Sequence, residues 1–473
     1  MSLLLRFGVL SSFLLMLACQ PQENAPPAAD FAAQRIKDRA VIDWLVPDQS
    51  EPWWLEERLA PWPESAQDRD PGLRQLVRAT AAADREVIWA ATDPDRLTAA
   101  VVHERGSWSA VGVDGDRRPF LARGDLRGPY FRMVIDDPDL AVDTAAWLGS
   151  SAPSALRVGA LSEDSVRIVT AAADVVVSLM SEHNAVLVYR FRWDGARFIR
   201  SARTLISPAT ALTPFLPIGA SYDNFDAVVN PFSARLAGTA QGAVYVALAA
   251  ETTRLSRHNT LFGTRFQPLI SDGDRLNRPT DLLIARSERD GSLAWTRLVG
   301  TYDVDDELYA LAAGPADAVA LVGRARRERG RDNAEWHPTV LTLNAAGDTT
   351  AARVFDAADS GIAQSAAYAA DGTLYVGGTE AWLQNPSGIS LYQEGRPFLL
   401  RLATGSSVLT RVEDLLPATT GHAELRALAV ADERLWLGGL ERGPLTHSGD
   451  ADRSVIRADG WRVAVAVSAG SGP

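Results

Sequence analysis

The side chains able to do chemistry in this chain of 473 residues are few and widely spaced. Six histidines stand at 103, 183, 258, 337, 422 and 447, with no spacing that would hold a metal from one helix or hairpin. No Gly-x-Ser-x-Gly elbow, phosphate-binding loop or dinucleotide fingerprint occurs. The sole cysteine, Cys19, excludes an internal disulfide, a cysteine-ligated zinc site and a two-cysteine redox pair. What remains is a set of carboxylates and a set of arginines and aromatics. Asp226, Asp303, Asp305 and Asp306 lie in short connections between apolar runs. Converging at one place they would suit a hard cation such as Ca²⁺; singly, each caps a turn by accepting backbone N–H groups. The second of these readings is adopted, so no metal or cofactor is expected. Arg327, Trp336, His337 and Trp382 lie in longer connections and are of types that suit a binding surface.

The elements that position these residues form a repeat. Four segments align: Ala234 to Ala247, Leu308 to Gly323, Ala366 to Gly378 and Leu425 to Gly439. Each is a small-residue strand, a turn with Gly, Asp or Glu, and an apolar strand. A weaker copy runs from Val166 to Met180. An alternating strand ending in glycine follows each copy, with Gly195, Gly291, Gly347, Gly405 and Gly460 at the ends, and a further strand follows the glycine. Asp-Gly between alternating strands signals a hairpin. One unit is therefore two hairpins, or four antiparallel strands A to D, which at this period describes a propeller blade. Five blades account for Val166 onward, and residues 85–165 have room for two more. The expected fold is an all-β propeller of seven four-stranded blades over residues 76–473, with six or eight as alternatives. The last unit reads as complete, with Trp461 to Val467 as its strand D, so closure needs no strand from the N-terminus.

The phrase Asp-Gly-Ser-Leu-Ala-Trp-Thr-Arg-Leu-Val-Gly ending at Gly300, then Asp303, Asp306 and Leu-Tyr-Ala-Leu-Ala-Ala, resembles the β-propeller repeats of secreted and lipid-anchored bacterial proteins. The resemblance covers Val166 to Val467 and implies fold, not catalytic residues.

The N-terminus reads as a targeting segment. Arg6 precedes the apolar run Phe7 to Leu17, too short to span a bilayer core, so residues 1–18 are a signal peptide. Leu15-Met16-Leu17-Ala18-Cys19 resembles a bacterial lipobox, which implies cleavage before Cys19, a lipid on its thiol and, with Gln20 following, an outer-membrane lipoprotein of the cell envelope. Residues 19–75 read as a Pro- and Ala-rich tether followed by a short helix over Phe31 to Leu45, with Trp53, Trp54 and Trp62 packing on the side of the main domain.

A formal charge of −12 argues against nucleic acid as partner. Consecutive antiparallel strands gather the long B–C connections on one face with the D–A connections, and the sequence therefore reads as a non-catalytic binding or scaffold propeller with a protein or polysaccharide partner on that face. A hydrolase or lyase acting on a polysaccharide is one alternative. An assembly factor, similar to the lipoprotein propeller of outer-membrane assembly machinery, is another.

Overall fold

The computed structural model describes residues 34–36, 39–45, 52–58, 74–80, 85–91, 95–116, 118–137, 166–180, 186–206, 234–251, 280–300, 306–326, 336–355, 360–380, 395–419, 422–431, 433–442 and 458–467. Two-residue strands at 141–142, 157–158, 259–260, 446–447 and 454–455 complete it. Regular structure here is almost entirely antiparallel sheet, in seven four-stranded blades.

The innermost strands A are Arg39–Leu45, Arg96–Val102, Val166–Ala171, Arg235–Gly238, Asp306–Ala313, Gly361–Tyr368 and His422–Ala431, for blades 1 to 7 in order. Strands B are Trp53–Arg58, Trp108–Val113, Asp174–Met180, Val244–Glu251, Val319–Arg326, Leu374–Glu380 and Arg434–Arg442. These central strands are apolar on both faces; Val319, Ala320, Leu321 and Val322 are all buried. Both faces of a blade's sheet pack on neighbouring blades, so continuous apolar runs replace alternation. Tight turns join the strands where Asp precedes Gly. Gly291 and Gly372 have φ of 89° and 84°, which glycine adopts at no steric cost. Asp290 and Asp371 Oδ1 accept the backbone N–H of Ser292 and Thr373 at 2.9 and 2.8 Å.

Two features correct the sequence reading. The helix expected over Phe31 to Leu45 is strand where the chain is described: Gln34–Ile36 and Arg39–Leu45. The strand set accordingly begins at Gln34 rather than at residue 76. Trp53 and Trp54 sit in strand B of blade 1, exposed by 1% and 0%, and are core rather than side packing. Trp62 lies outside the described residues. The second correction is closure. Asp459-Gly460 is not a turn but part of one strand, Ala458–Ala466, which is strand C of blade 7. Gly460 pairs with Leu440 on one side and Ile36 on the other. The fourth strand of the last blade is therefore Gln34–Ile36, donated by the N-terminus. Three backbone positions pair across this junction, and the next strand of the chain opens blade 1, so the ring is hydrogen-bonded shut.

Apolar clusters fill the gaps between blades. At the junction of blades 7 and 1 the cluster holds Val41, Trp44, Trp54, Val77 and Ala427. Blades 3 and 4 are also joined by charge: buried Asp174 takes ion pairs from Arg190 and Arg192 of its own blade and from Arg289 of blade 4, at 3.7, 3.3 and 3.6 Å.

Candidate functional site

A shared irregularity shapes the axis. In five innermost strands the pairing with strand B slips by one residue, and the extra residue is Ile42, Thr98, Tyr309, Gln364 or Arg426. Such a bulge re-aims a side chain and sharpens twist. By sequence alignment, Arg167 and Arg235 occupy the same place in blades 3 and 4. All seven residues line one axial cavity of about 430 Å³.

Its wall carries four arginines, Arg74, Arg167, Arg235 and Arg426, against two carboxylates, Asp43 and Glu57. Arg74 donates to the Thr98 carbonyl at 3.0 Å and pairs with Glu57 at 3.8 Å, tying blade 1 to blade 2. Arg235 donates to the carbonyls of Tyr309 and Ala234, at 2.5 and 2.9 Å, and so bridges blades 4 and 5. Asp43 opens onto the cavity yet has protein around it. That burial raises its carboxyl to about 6, while Arg167 pulls the other way. Burial likewise raises the Tyr309 hydroxyl, which donates to Glu307 Oε2 at 2.6 Å.

The rim where strands A begin and strands B end is built from ion pairs. Glu424 is fully buried; His422 Nε2 meets its Oε1 at 2.8 Å and Arg426 Nε its Oε2 at 2.7 Å. Burial alone would raise this carboxyl, but Arg426 and His422 outweigh it and hold it at about 2. The Gly395 N–H donates to His422 Nδ1 at 3.1 Å, which places the imidazole proton on Nε2 in the neutral ring. Glu380 accepts two bonds from Arg411, at 3.2 and 2.6 Å. Arg324 donates to Glu307 at 2.9 Å. Among the described residues no group of three His, Cys, Asp or Glu side chains could hold a metal ion.

Of the residues singled out from sequence, three are described. Asp306 is buried at the first position of its innermost strand, opposite Ala325. Trp336 is half-buried at the start of strand C of blade 5; the Arg324 guanidinium lies 4.1 Å from its ring centroid, and the Trp336 backbone N–H donates to Ser360 Oγ at 3.1 Å. His337, next along, is 2% exposed and faces into the blade. Cys19, Asp226, Asp303, Asp305, Arg327 and Trp382 lie outside the described residues. Sequence reasoning passed over the axial ring. Its signal was present in the aligned repeats, where Arg235, Tyr309 and Arg426 all take the second position.

The fold and rim define a seven-bladed β-propeller. No family model and no curated protein matches the chain. Among solved structures it is similar to virginiamycin B lyase from Staphylococcus aureus, at 10% identity and a TM-score of 0.44 over 92% of this chain and all of that one. Sqt1 from Saccharomyces cerevisiae aligns at 9% and 0.43, over 92% of this chain and 98% of its own. A puromycin hydrolase aligns at 16% and 0.38, over 87% of this chain and half of that one.

Proposed function

We propose that this chain is a non-catalytic binding propeller of the cell envelope, tethered by lipid on Cys19, which engages a protein or polysaccharide partner on the face carrying its B–C and D–A connections. The observation that carries the reading is the rim. Its carboxylates, buried Glu380 and Glu424 and half-buried Glu307, are each held by an arginine. A carboxyl held at about 2, as in Glu424, is a poor proton donor at neutral pH. Such pairs fix the strand ends from which the long connections leave, at 252–279, 327–335, 381–394 and 443–457. Connections held on a rigid scaffold make a recognition surface. Trp336 supplies an aromatic anchor backed by Arg324.

Two variants of the full-length chain test this. Cys19→Ala should move the protein from the membrane to the soluble envelope fraction. Trp336→Ala combined with Trp382→Ala should weaken capture of a native envelope partner while the melting temperature stays nearly constant. A fall of several degrees with partner capture unchanged would make these tryptophans structural cover and overturn the assignment of the face.

A further inference from the structure

The axial cavity has a chemistry of its own, independent of any partner on the rim. Four arginines from blades 1, 3, 4 and 7 line one cavity in a chain whose formal charge is −12. Within that wall they outnumber carboxylates two to one. A guanidinium presents a planar fork of donors that matches an oxyanion. The remaining groups at the same level are uncharged: Ile42 of blade 1, Thr98 of blade 2, Tyr309 of blade 5 and Gln364 of blade 6. A volume of about 430 Å³ lies in the range of small-molecule sites. A one-residue bulge in the innermost strand brings Tyr309, Gln364 and Arg426 to the axis, while Arg167 and Arg235 reach it from regularly paired strands. We propose that the axial cavity is a binding site for a small oxyanion-bearing molecule, with Arg167 and Arg235 as its principal ligands. Arg426 and Arg74 pair with Glu424 and Glu57, and Arg235 donates to the Tyr309 and Ala234 carbonyls, so these guanidinium groups are held in place around the cavity.

Asp43 sets the affinity. It shares the cavity wall with Arg167 of blade 3, whose charge acts on it directly, Arg235 of blade 4, Tyr309 of blade 5, Arg426 of blade 7, and Glu57 and Arg74 of its own blade, with neutral Thr98 and Gln364 from blades 2 and 6. Its carboxyl takes up a proton as pH falls through about 6. The site then loses a negative charge and holds an anion more firmly.

Calorimetric titration of the full chain with sulfate and, separately, with glucuronate tests this, because both probes keep a constant charge between pH 5 and 7.5. Saturable binding is expected for at least one. Sulfate alone would identify a tetrahedral oxyanion as the natural group, glucuronate alone a carboxylate. Binding should be about tenfold tighter at pH 5 than at pH 7.5. Arg167→Gln and Arg235→Gln should each weaken it about tenfold. Asp43→Asn, which keeps the side-chain shape, should bind at pH 7.5 as tightly as the natural chain does at pH 5 and show no difference between the two. The proposal is overturned if neither anion gives saturable binding, or if Asp43→Asn binds no more tightly than the natural chain at pH 7.5. Trp336→Ala should leave this binding unchanged, which separates failure here from failure of the rim as a partner surface.

Discussion

Trp54→Ala should lower the free energy of unfolding by about 3–5 kcal/mol, among the largest losses a single truncation can produce. The indole is fully buried where the first and last blades meet. It packs on Trp44 at 5.8 Å between ring centroids, and the Arg462 guanidinium of blade 7 lies 4.2 Å from its ring. Its Nε1–H donates to Glu56 Oε2 at 3.1 Å, and Glu56 is itself buried beneath Arg85. Truncation therefore opens a cavity and also removes a donor from a buried carboxylate. Because this junction closes the ring, the loss falls on every blade rather than on one. Urea denaturation measures it. Trp54→Phe, which keeps a ring over Arg462 but not the indole N–H, should recover part of the loss. An unchanged midpoint for Trp54→Ala would mean that the tryptophan does not hold blades 7 and 1 together.

Gly323→Ala should be nearly as damaging, for a backbone reason. A Cβ at Gly323 would stand 1.8 Å from the Glu307 carbonyl oxygen and 3.2 Å from Leu308 Cα. Both belong to the paired strand, just ahead of the bulge at Tyr309, so no flexible side chain can give way. Gly112, Gly378 and Gly439 hold the same place in blades 2, 6 and 7, with the facing carbonyl at 2.0, 2.1 and 1.9 Å. The bulge presses the two strands together there, and glycine is the residue that fits. Overpacking with no room to relax costs about 3 kcal/mol. Gly405→Ala is the control. That glycine has a φ of 73° but nothing within 4 Å of a Cβ, so its alanine meets backbone strain alone, about 1–2 kcal/mol. Equal midpoints for the two variants in the same denaturation experiment would contradict the close approach of strands A and B.

These two positions also show what was legible in the sequence. Gly323, Gly378 and Gly439 end the aligned apolar strands, and turns such as Asp371-Gly372 mark the hairpins, so the five blades from Val166 onward could be counted; residues 85–165, read as room for two more, hold blade 2 and the last strand of blade 1. Blade 1 was hidden because Trp53, Trp54, Leu55 and Glu56 are all buried. A strand enclosed on both faces shows no alternation, and these tryptophans stand among prolines and acids that read as a tether. Closure was misread because Asp459-Gly460 has the composition of a turn, while its conformation is set by pairing with Leu440 and Ile36. A partner strand more than 400 residues away in sequence leaves no local mark. The axial ring was hidden for a related reason. Arg235, Tyr309 and Arg426 share a repeat position, but Tyr309 and Arg426 sit at a one-residue slip in register and Arg235 does not, so pattern alone does not show that they line the axis together.

The central claim is that recognition occurs on the face where the long connections leave the blades. Site-specific photo-crosslinking in cells making the full-length chain tests it most directly. Trp336→p-benzoylphenylalanine places the probe on that face, and Asp371→p-benzoylphenylalanine places it on an A–B turn at the opposite end. The account predicts a discrete crosslinked adduct from position 336 and none from position 371. An adduct from position 371 with none from 336 would contradict it.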